Sequence, residues 1–290
     1  MASGLFATAS LARRIEKAES SLVGASAAAS ALRLGPENIF CRELAGGIAV
    51  FVQEGCPFNK VAGLGFDGVP ATESLEAIES AFAARGAAIR VEASTLADPG
   101  VARQLTSRGY ELVGFENVLG LDLTGRAFPA DAAHSDIVIS RADDDQGATW
   151  LDVVTTGFLH PDTFDGPPSS ETFMREELER VFSDMLNAKG MERYLARRGG
   201  VIAGGGSLVI ADGVALLSGA ATLPEHRKRG VQSALLSERL RIAGERGCDI
   251  AVVTTEPASK SQANVQRAGF SLLYARAVLI KDPPPRTMSG

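Results

Sequence analysis

Four basic or potentially basic residues, His226, Arg227, Lys228 and Arg229, stand in a row directly before Gly230 in "LPEHRKRGVQSALL". The residues after Gly230 have the apolar spacing of an amphipathic helix. The first N–H groups of a helix have no intrahelical partner, and they carry the positive end of the macrodipole. A glycine at that start lets a ligand come close to the backbone, and a phosphate group is the natural occupant. Arg227, Lys228 and Arg229 would neutralise a diphosphate there. The other reading of such a triplet is a solvated, charged turn before an exposed helix. Two better-known phosphate loops do not fit. There is no Gly-x-x-x-x-Gly-Lys-Ser/Thr, and "GGGSL" (Gly204 to Leu208) joins no strand to a helix, so it reads as a glycine-softened strand or turn.

Periodicity shows which elements must hold this corner. "DIVISRA" alternates as a strand does, and "DQGATWLDVVTTGF" has helical spacing. "DGPPSSE" is a loop whose serines can cap a helix, after which Phe173, Leu178, Val181, Phe182, Met185 and Leu186 mark one apolar helical face. "MERYLARRGG", "VIAGGGSLVIADG" and "VALLSGAATL" read as three successive strands and antiparallel neighbours. The helix that starts at the basic corner ends near Gly247. "DIAVVTT" is a strand, "SKSQANVQRA" a short helix and "SLLYARAVLIKD" a last strand. The order β-α-α-β-β-β-α-β-α-β is an α+β, mixed-sheet pattern.

The first half of the chain repeats part of this pattern. "ARGAAIRVEAST" resembles "ERGCDIAVVTTE", and "LTSRGYELVGFENVL" resembles "VQRAGFSLLYARAVL". Gly86 and Gly109 are 23 residues apart, and Gly247 and Gly269 are 22 apart. A shared pattern offset by about 160 residues is domain-sized. In both copies a helix ends at a glycine able to take a left-handed cap, then a β-branched strand, a short helix, Gly-aromatic and a final strand follow. "DLTGRAFPADAAHSD" (Asp122 to Asp136) is the linker candidate, which divides the chain into residues 1–130 and 131–290.

Composition narrows the function classes. The 290 residues are 45% hydrophobic and 22% charged with a net charge of -6, an ordinary globular balance. That charge argues against nucleic acid as the main partner. Cys41, Cys56 and Cys248 show no metal-ligand spacing, and His134, His160 and His226 are far apart, so no metal is expected. Cys248 opens an apolar run and reads as a buried core thiol. No apolar run is long enough to cross a bilayer. In "LARRIEKAESSLVGASAAASAL" Glu16, Lys17 and Glu19 interrupt what a signal peptide would need, while Leu11, Ile15, Ala18 and Leu22 recur at helical spacing. The expectation is the first helix of a soluble, cytoplasmic domain.

The element order and "LPEHRKRGVQSALL" together resemble the GNAT superfamily of acyl-CoA N-acyltransferases. The cofactor motif of that family is Gln/Arg-x-x-Gly-x-Gly/Ala. Arg227, Lys228, Arg229, Gly230 and Val231 fill its first five positions, and Gln232 departs from the sixth. "SQANVQRAGF" resembles the family's later helix, with Gly-Phe leading into the last strand. The resemblance covers roughly residues 136–282. It implies a V-shaped central sheet whose fourth and fifth strands splay apart around the pantetheine arm of acetyl-CoA. Backbone groups of Ala221, Thr222 and Leu223 would then pair with that arm. N–H groups from Lys228 to Ser233 would hold the diphosphate, with Ser261 and Asn264 near the thiol end or on a merely exposed polar face. At the matching corner of the first half, "LGFDGVPATESLEAI" aligns Gly68 with Gly230 but puts Asp67 in place of Arg229, and Pro70 follows. A carboxylate there repels a diphosphate. The first half thus reads as a degenerate GNAT-like copy.

Acyl transfer needs a neutral amine, a polarised thioester carbonyl and a proton for the leaving thiolate. The resemblance implies a polarising N–H near Leu223. Glu256 is the candidate base, or a surface Glu before Pro257; Glu225 lies in the loop beyond the fourth strand, where it could do no more than position the arginines. The family's usual tyrosine position holds Val265, so Tyr274 is the substitute general acid, or a packed strand residue, with water as another proton source. His160, Asp162 and Asp165 could attract a cationic acceptor or be plain loop residues. The leading expectation is an acetyl-CoA-dependent N-acetyltransferase, a monomer or homodimer, acting on a small-molecule or peptide amine. The alternatives are a non-catalytic acyl-CoA-binding or sensory protein and a purely structural tandem protein.

Overall fold

Alternating and helical spacings become strands and helices largely where the residue pattern places them. The computed structural model of the chain describes residues 5–126, 128, 136–160 and 174–284. Contacts divide the chain into two compact units that are not the two halves of the sequence. One unit comprises Ala7–Glu116 with Tyr274–Gly290, and the other Asn117–Leu273 with Met1–Phe6.

The first unit contains α1 (Ala9–Leu34), β1 (Phe40–Leu44), β2 (Gly47–Phe51), β3 (Lys60–Ala62), α2 (Thr72–Ala84), β4 (Ile89–Ser94), α3 (Pro99–Ser107) and the start of β5 (Glu111–Asp122). β1, β2 and β3 are antiparallel neighbours, and β3 joins β4 in parallel through Val61 and Val91. Val61, Val91, Leu75, Ile78, Phe82 and Leu105 lie in one buried apolar cluster. The next residues along the strands, Lys60 and Glu92, belong to a charged cluster, as alternation requires. α1 is amphipathic as expected, with Ile15, Ala18 and Leu22 buried.

The second unit contains the remainder of β5, then β6 (Ile137–Arg141), α4 (Gly147–Leu159), α5 (Arg175–Met185), β7 (Met191–Arg198), β8 (Val201–Ala211), β9 (Val214–Thr222), α6 (Val231–Glu245), β10 (Ile250–Thr255) and α7 (Lys260–Arg267). β6, β7, β8 and β9 are successive antiparallel neighbours, as the strand order implies. Leu178, Val181, Phe182 and Met185 form the buried face of α5. Cys248 is buried with Leu208, Leu235 and Leu240 in the core beside α6.

The last strand, β11 (Ser271–Lys281), departs from the division at residue 130. It pairs antiparallel with β4 of the first unit, from Arg276↔Ser94 to Lys281↔Ile89. Conversely, β5 pairs antiparallel with β10 of the second unit, from Asn117↔Thr255 to Asp122↔Ile250. Each half therefore gives its final strand to the other unit. The repeat itself is visible in the backbone. Gly68 and Gly230, Gly86 and Gly247, and Gly109 and Gly269 all take φ between 67° and 93°. Among the described residues no helix is long and apolar enough to cross a membrane.

Candidate functional site: the gap beside β9 and the basic corner

β9 and β10 run parallel but pair only over Val214–Leu216 and Ile250–Val252. Beyond that point β10 stays paired to β5, through Val253, Thr254 and Thr255, while β9 stays paired to β8. Two strands that start as neighbours are thus held by different partners, and a gap opens along the facing edge of Leu217–Thr222. The N–H of Leu223 donates to the Ala203 carbonyl at 3.0 Å. The N–H of Leu223 itself is thus committed to β8, and a polarising donor near it has to come from another peptide of β9. Alternation then turns the peptide groups of Thr222 toward the gap. The Thr222 carbonyl indeed accepts from Arg227 Nε at 3.4 Å on that side.

The register between β8 and β9 jumps from Gly205↔Ala221 to Ser207↔Ser218. Gly219 and Ala220 therefore stand opposite Gly206 alone, a bulge in β9. Gly219 has φ 59°, a conformation glycine takes without strain. The three glycines of β8 that read as softening the strand serve close packing. A Cβ on Gly204 would lie 2.9 Å from Val231 Cγ1, one on Gly205 3.3 Å from Trp150 Cδ1, and one on Gly206 3.2 Å from the Arg239 guanidinium carbon. Trp150 is fully buried and donates its Nε1–H to the Gly206 carbonyl at 3.1 Å. Ser207 Oγ donates to the Ser218 carbonyl at 2.9 Å. Trp150, Ser207, Ser218 and Arg239 were not singled out from the sequence; consecutive glycines in a strand were the available signal of close approach.

At the corner, Gly230 is the N-cap of α6 in a left-handed conformation (φ 86°), and no side chain caps the helix. Among the described residues no side chain caps the first-turn N–H groups of Val231, Gln232 and Ser233. Lys228, also left-handed at φ 57°, and Arg229 are exposed beside them. Arg227 turns inward instead, donating to the Thr222 and His160 carbonyls. The basic triplet thus splits into one clamp and two solvent-facing cations. Gln232 Oε1 accepts from Asn264 Nδ2, and Asn264 Oδ1 accepts from Arg267, so that side chain bridges α6 and α7. Ser261 is exposed on α7. Glu256 is exposed immediately after β10, at the mouth of the gap. Gln262 fastens this turn by accepting from the Ala258 N–H at 2.7 Å and from Asn117 Nδ2 at 3.2 Å.

Tyr274 is not a residue of this unit. It belongs to the first unit, is 5% exposed, and donates its hydroxyl to Glu16 Oε1 at 2.8 Å. Burial and then the Glu16 charge push its proton affinity well above that of an ordinary phenol. The strand exchange is the physical reason: β11, which holds Tyr274, pairs with β4 of the first unit. His160 ends α4, whereas Asp162 and Asp165 lie outside the described residues.

The matching corner of the first unit is built differently. Gly68 keeps the left-handed turn (φ 91°), but α2 begins only at Thr72, after Pro70. Arg13 of α1 donates to the Asp67 carboxylate and to the Phe66 carbonyl. A cavity of about 470 Å³ lies there, lined by Ser10, Arg13, Phe66, Gly68, Ala97 and Asp98.

Comparison with known proteins finds relatives of this fold. Residues 159–270 match the model of the Acetyltransferase (GNAT) family. A GCN5-related N-acetyltransferase from Kribbella flavida has a similar fold, with a TM-score of 0.60 and 21% identity over 89% of this chain and 95% of that one. A tandem GNAT protein from the clavulanic acid biosynthesis pathway gives 0.60 at 16% identity, over 90% of this chain and 89% of its own. A GCN5-related N-acetyltransferase from Sphaerobacter thermophilus gives 0.50 at 17% identity, over 69% and 61%. No curated protein gives a significant match to the sequence.

Proposed function

We propose that the chain, whose residues 159–270 match the Acetyltransferase (GNAT) family model, is an acetyl-CoA-dependent N-acetyltransferase whose working site is the gap beside β9 in the second unit. The observation that carries this reading is the uncapped N-terminus of α6 at left-handed Gly230, set at the end of a strand whose facing edge has lost its partner. Acetyl-CoA supplies an activated acetyl thioester. The first-turn N–H groups of α6, with Lys228 and Arg229, hold its diphosphate. Thr222, whose peptide groups turn into the gap, pairs with the pantetheine amides as an added strand would, next to Ala221 and Leu223. Asn264 and Ser261 border the same channel from α7.

The acceptor is an amine that must lose a proton before or during attack. Glu256 takes that proton, directly or through water, because it is the carboxylate that the end of β10 brings to the mouth of the gap. Water returns a proton to the departing thiolate, since Tyr274 is engaged with Glu16. The first unit is a degenerate copy: Asp67 and the inward reach of Arg13 replace the cations that a diphosphate needs. The protein acts outside membranes, in the cytoplasm, as a monomer or homodimer.

Calorimetry with acetyl-CoA tests the reading. Wild type binds with micromolar affinity, and Arg229→Glu combined with Gly230→Trp weakens binding by about a hundredfold or more. Turnover in a screen of amine acceptors separates the enzyme from a non-catalytic acyl-CoA-binding protein. Absence of acetyl-CoA binding by wild type would sink both.

A further inference from the structure

Among the described residues no acidic group pairs with the charge of Arg239. It lies on the sheet-facing side of α6 and is 2% exposed. Its Nε donates to the Leu235 carbonyl at 3.0 Å, and its Nη1 donates to the Ser207 carbonyl at 2.9 Å and to the Ser218 carbonyl at 3.4 Å. Among the described residues every one of its acceptors is a main-chain carbonyl. Burial pulls the guanidinium down to about 10, against a small opposing pull from Tyr194. A buried cation without a counter-ion is costly, so its retention asks for a reason. The strand is shaped to admit it: any side chain at Gly206 would start 3.2 Å from the guanidinium carbon.

The place of the two strand carbonyls supplies the reason. Ser207 and Ser218 form the register pair at which the β9 bulge begins. The carbonyl of Ser218 belongs to the same peptide as the N–H of Gly219, the first bulged residue. A cation bound to a peptide carbonyl polarises that peptide and strengthens its N–H as a donor. The bulge lies in the part of β9 whose other edge has no strand partner, where the Leu223 N–H is already spent on Ala203. A donor for the negative charge that grows on a thioester oxygen is needed along this edge.

We propose that Arg239 is a positioning residue of the acyl-transfer site: it fixes the β9 bulge through the Ser207 and Ser218 carbonyls and lends its charge to the N–H of Gly219, which polarises the thioester carbonyl. This rests on the acetyl-CoA reading of the same gap. It differs from a packing role in what it affects. A packing arginine sets stability, whereas a polarising one sets the electronic state of bound thioester.

The experiment is isotope-edited infrared difference spectroscopy of acetyl-CoA labelled with carbon-13 at the acetyl carbonyl, bound to the full chain. Wild type shifts the thioester carbonyl stretch to lower frequency. Arg239→Met, which keeps volume and removes charge, loses about half of that shift or more, while calorimetric affinity for acetyl-CoA stays within about threefold. Arg239→Lys recovers part of the shift. The melting temperature of Arg239→Met falls, because the Ser207 and Ser218 carbonyls lose a buried donor, so each spectrum is taken below it. An equal carbonyl shift in wild type and Arg239→Met, or bound acetyl-CoA with no shift in wild type, overturns the proposal. Gly206→Ala reports the same band if Arg239→Met fails to fold: it keeps the charge but displaces it from the two carbonyls. A reduced shift supports the proposal, and an unchanged one defeats it. Wild type that does not bind acetyl-CoA removes the reading of the gap as well, which calorimetry shows before any spectrum is taken.

Discussion

Gly230 and Gln232 are two residues apart and do different work. Gly230 supplies a left-handed turn that leaves the α6 N-terminus uncapped, so a ligand can meet its N–H groups. Gln232 stands where the related motif has a small residue, and its side chain leaves the corner to accept from Asn264. The helix donors are therefore main-chain groups that Gln232 does not block. We expect Gln232→Ala to change acetyl-CoA affinity by no more than about threefold by calorimetry; a tenfold loss would mean that the amide itself binds the ligand. The corner was legible in the sequence because glycine, charge and helix period coincide within a few residues. Arg239 and Tyr274 were not. An arginine on a helix and a tyrosine on a strand look alike whether they face water or the interior, and only packing decides. Arg227 was half legible: its charge suggested phosphate, but its reach to the Thr222 and His160 carbonyls depends on where α4 ends.

At the scale of elements, β11 is the strand that local pattern misassigned. Its alternation is the same whichever sheet it joins, and its partner lies far away in sequence. What marks its place is charge on the first unit's polar face. Arg276 is 1% exposed, donates to Glu16 at 2.8 Å, and lies 3.4 Å from Glu116 and 3.8 Å from Glu92. Burial alone would lower the guanidinium, but Glu16, Glu19 and Glu92 outweigh it and hold it above its usual range. Burial raises the Glu16 carboxyl above the ordinary 4.5, against the pull of Arg276. Burial and Glu92 raise Glu116 as well. For Glu92, Lys60 and Arg276 outweigh burial and lower it. A raised carboxyl binds its proton more tightly folded than unfolded. As pH rises through the unfolded value the unfolded chain releases that proton first, and folding loses stability until the folded group titrates too. Glu16 and Glu116 thus make stability fall with rising pH above about 4.5, and Glu92 makes it fall with acid below that. Glu16→Gln keeps an acceptor for Tyr274 and Arg276 but cannot titrate. Urea unfolding of this variant between about pH 5 and 7 should show a shallower decline than wild type. An identical slope would assign the decline to other groups.

For the whole molecule, the repeat was legible because glycines that need a left-handed turn cannot drift: Gly68, Gly86 and Gly109 match Gly230, Gly247 and Gly269 in backbone as in spacing. The same repeat hid the exchange of final strands, since equivalent halves carry interchangeable-looking strands. The exchange means that neither half of the sequence holds a complete sheet of its own. Residues 117–122 complete the second unit beside β10, and residues 276–281 complete the first beside β4. A chain of two self-sufficient domains would fall into two bodies once its connection is cut. A chain with exchanged strands would not, because each piece keeps a strand of the other's sheet, and Arg276 leaves its carboxylates only by exposing buried charge. We expect a protease site inserted between Arg126 and Asp136 to yield two pieces on a denaturing gel. In native buffer those pieces should still co-elute as one species on size exclusion, with acetyl-CoA binding intact, and should separate only in denaturant. Two separate native peaks, each with intact secondary structure by circular dichroism, would show that β5 and β11 return to their own halves and that the exchange is dispensable.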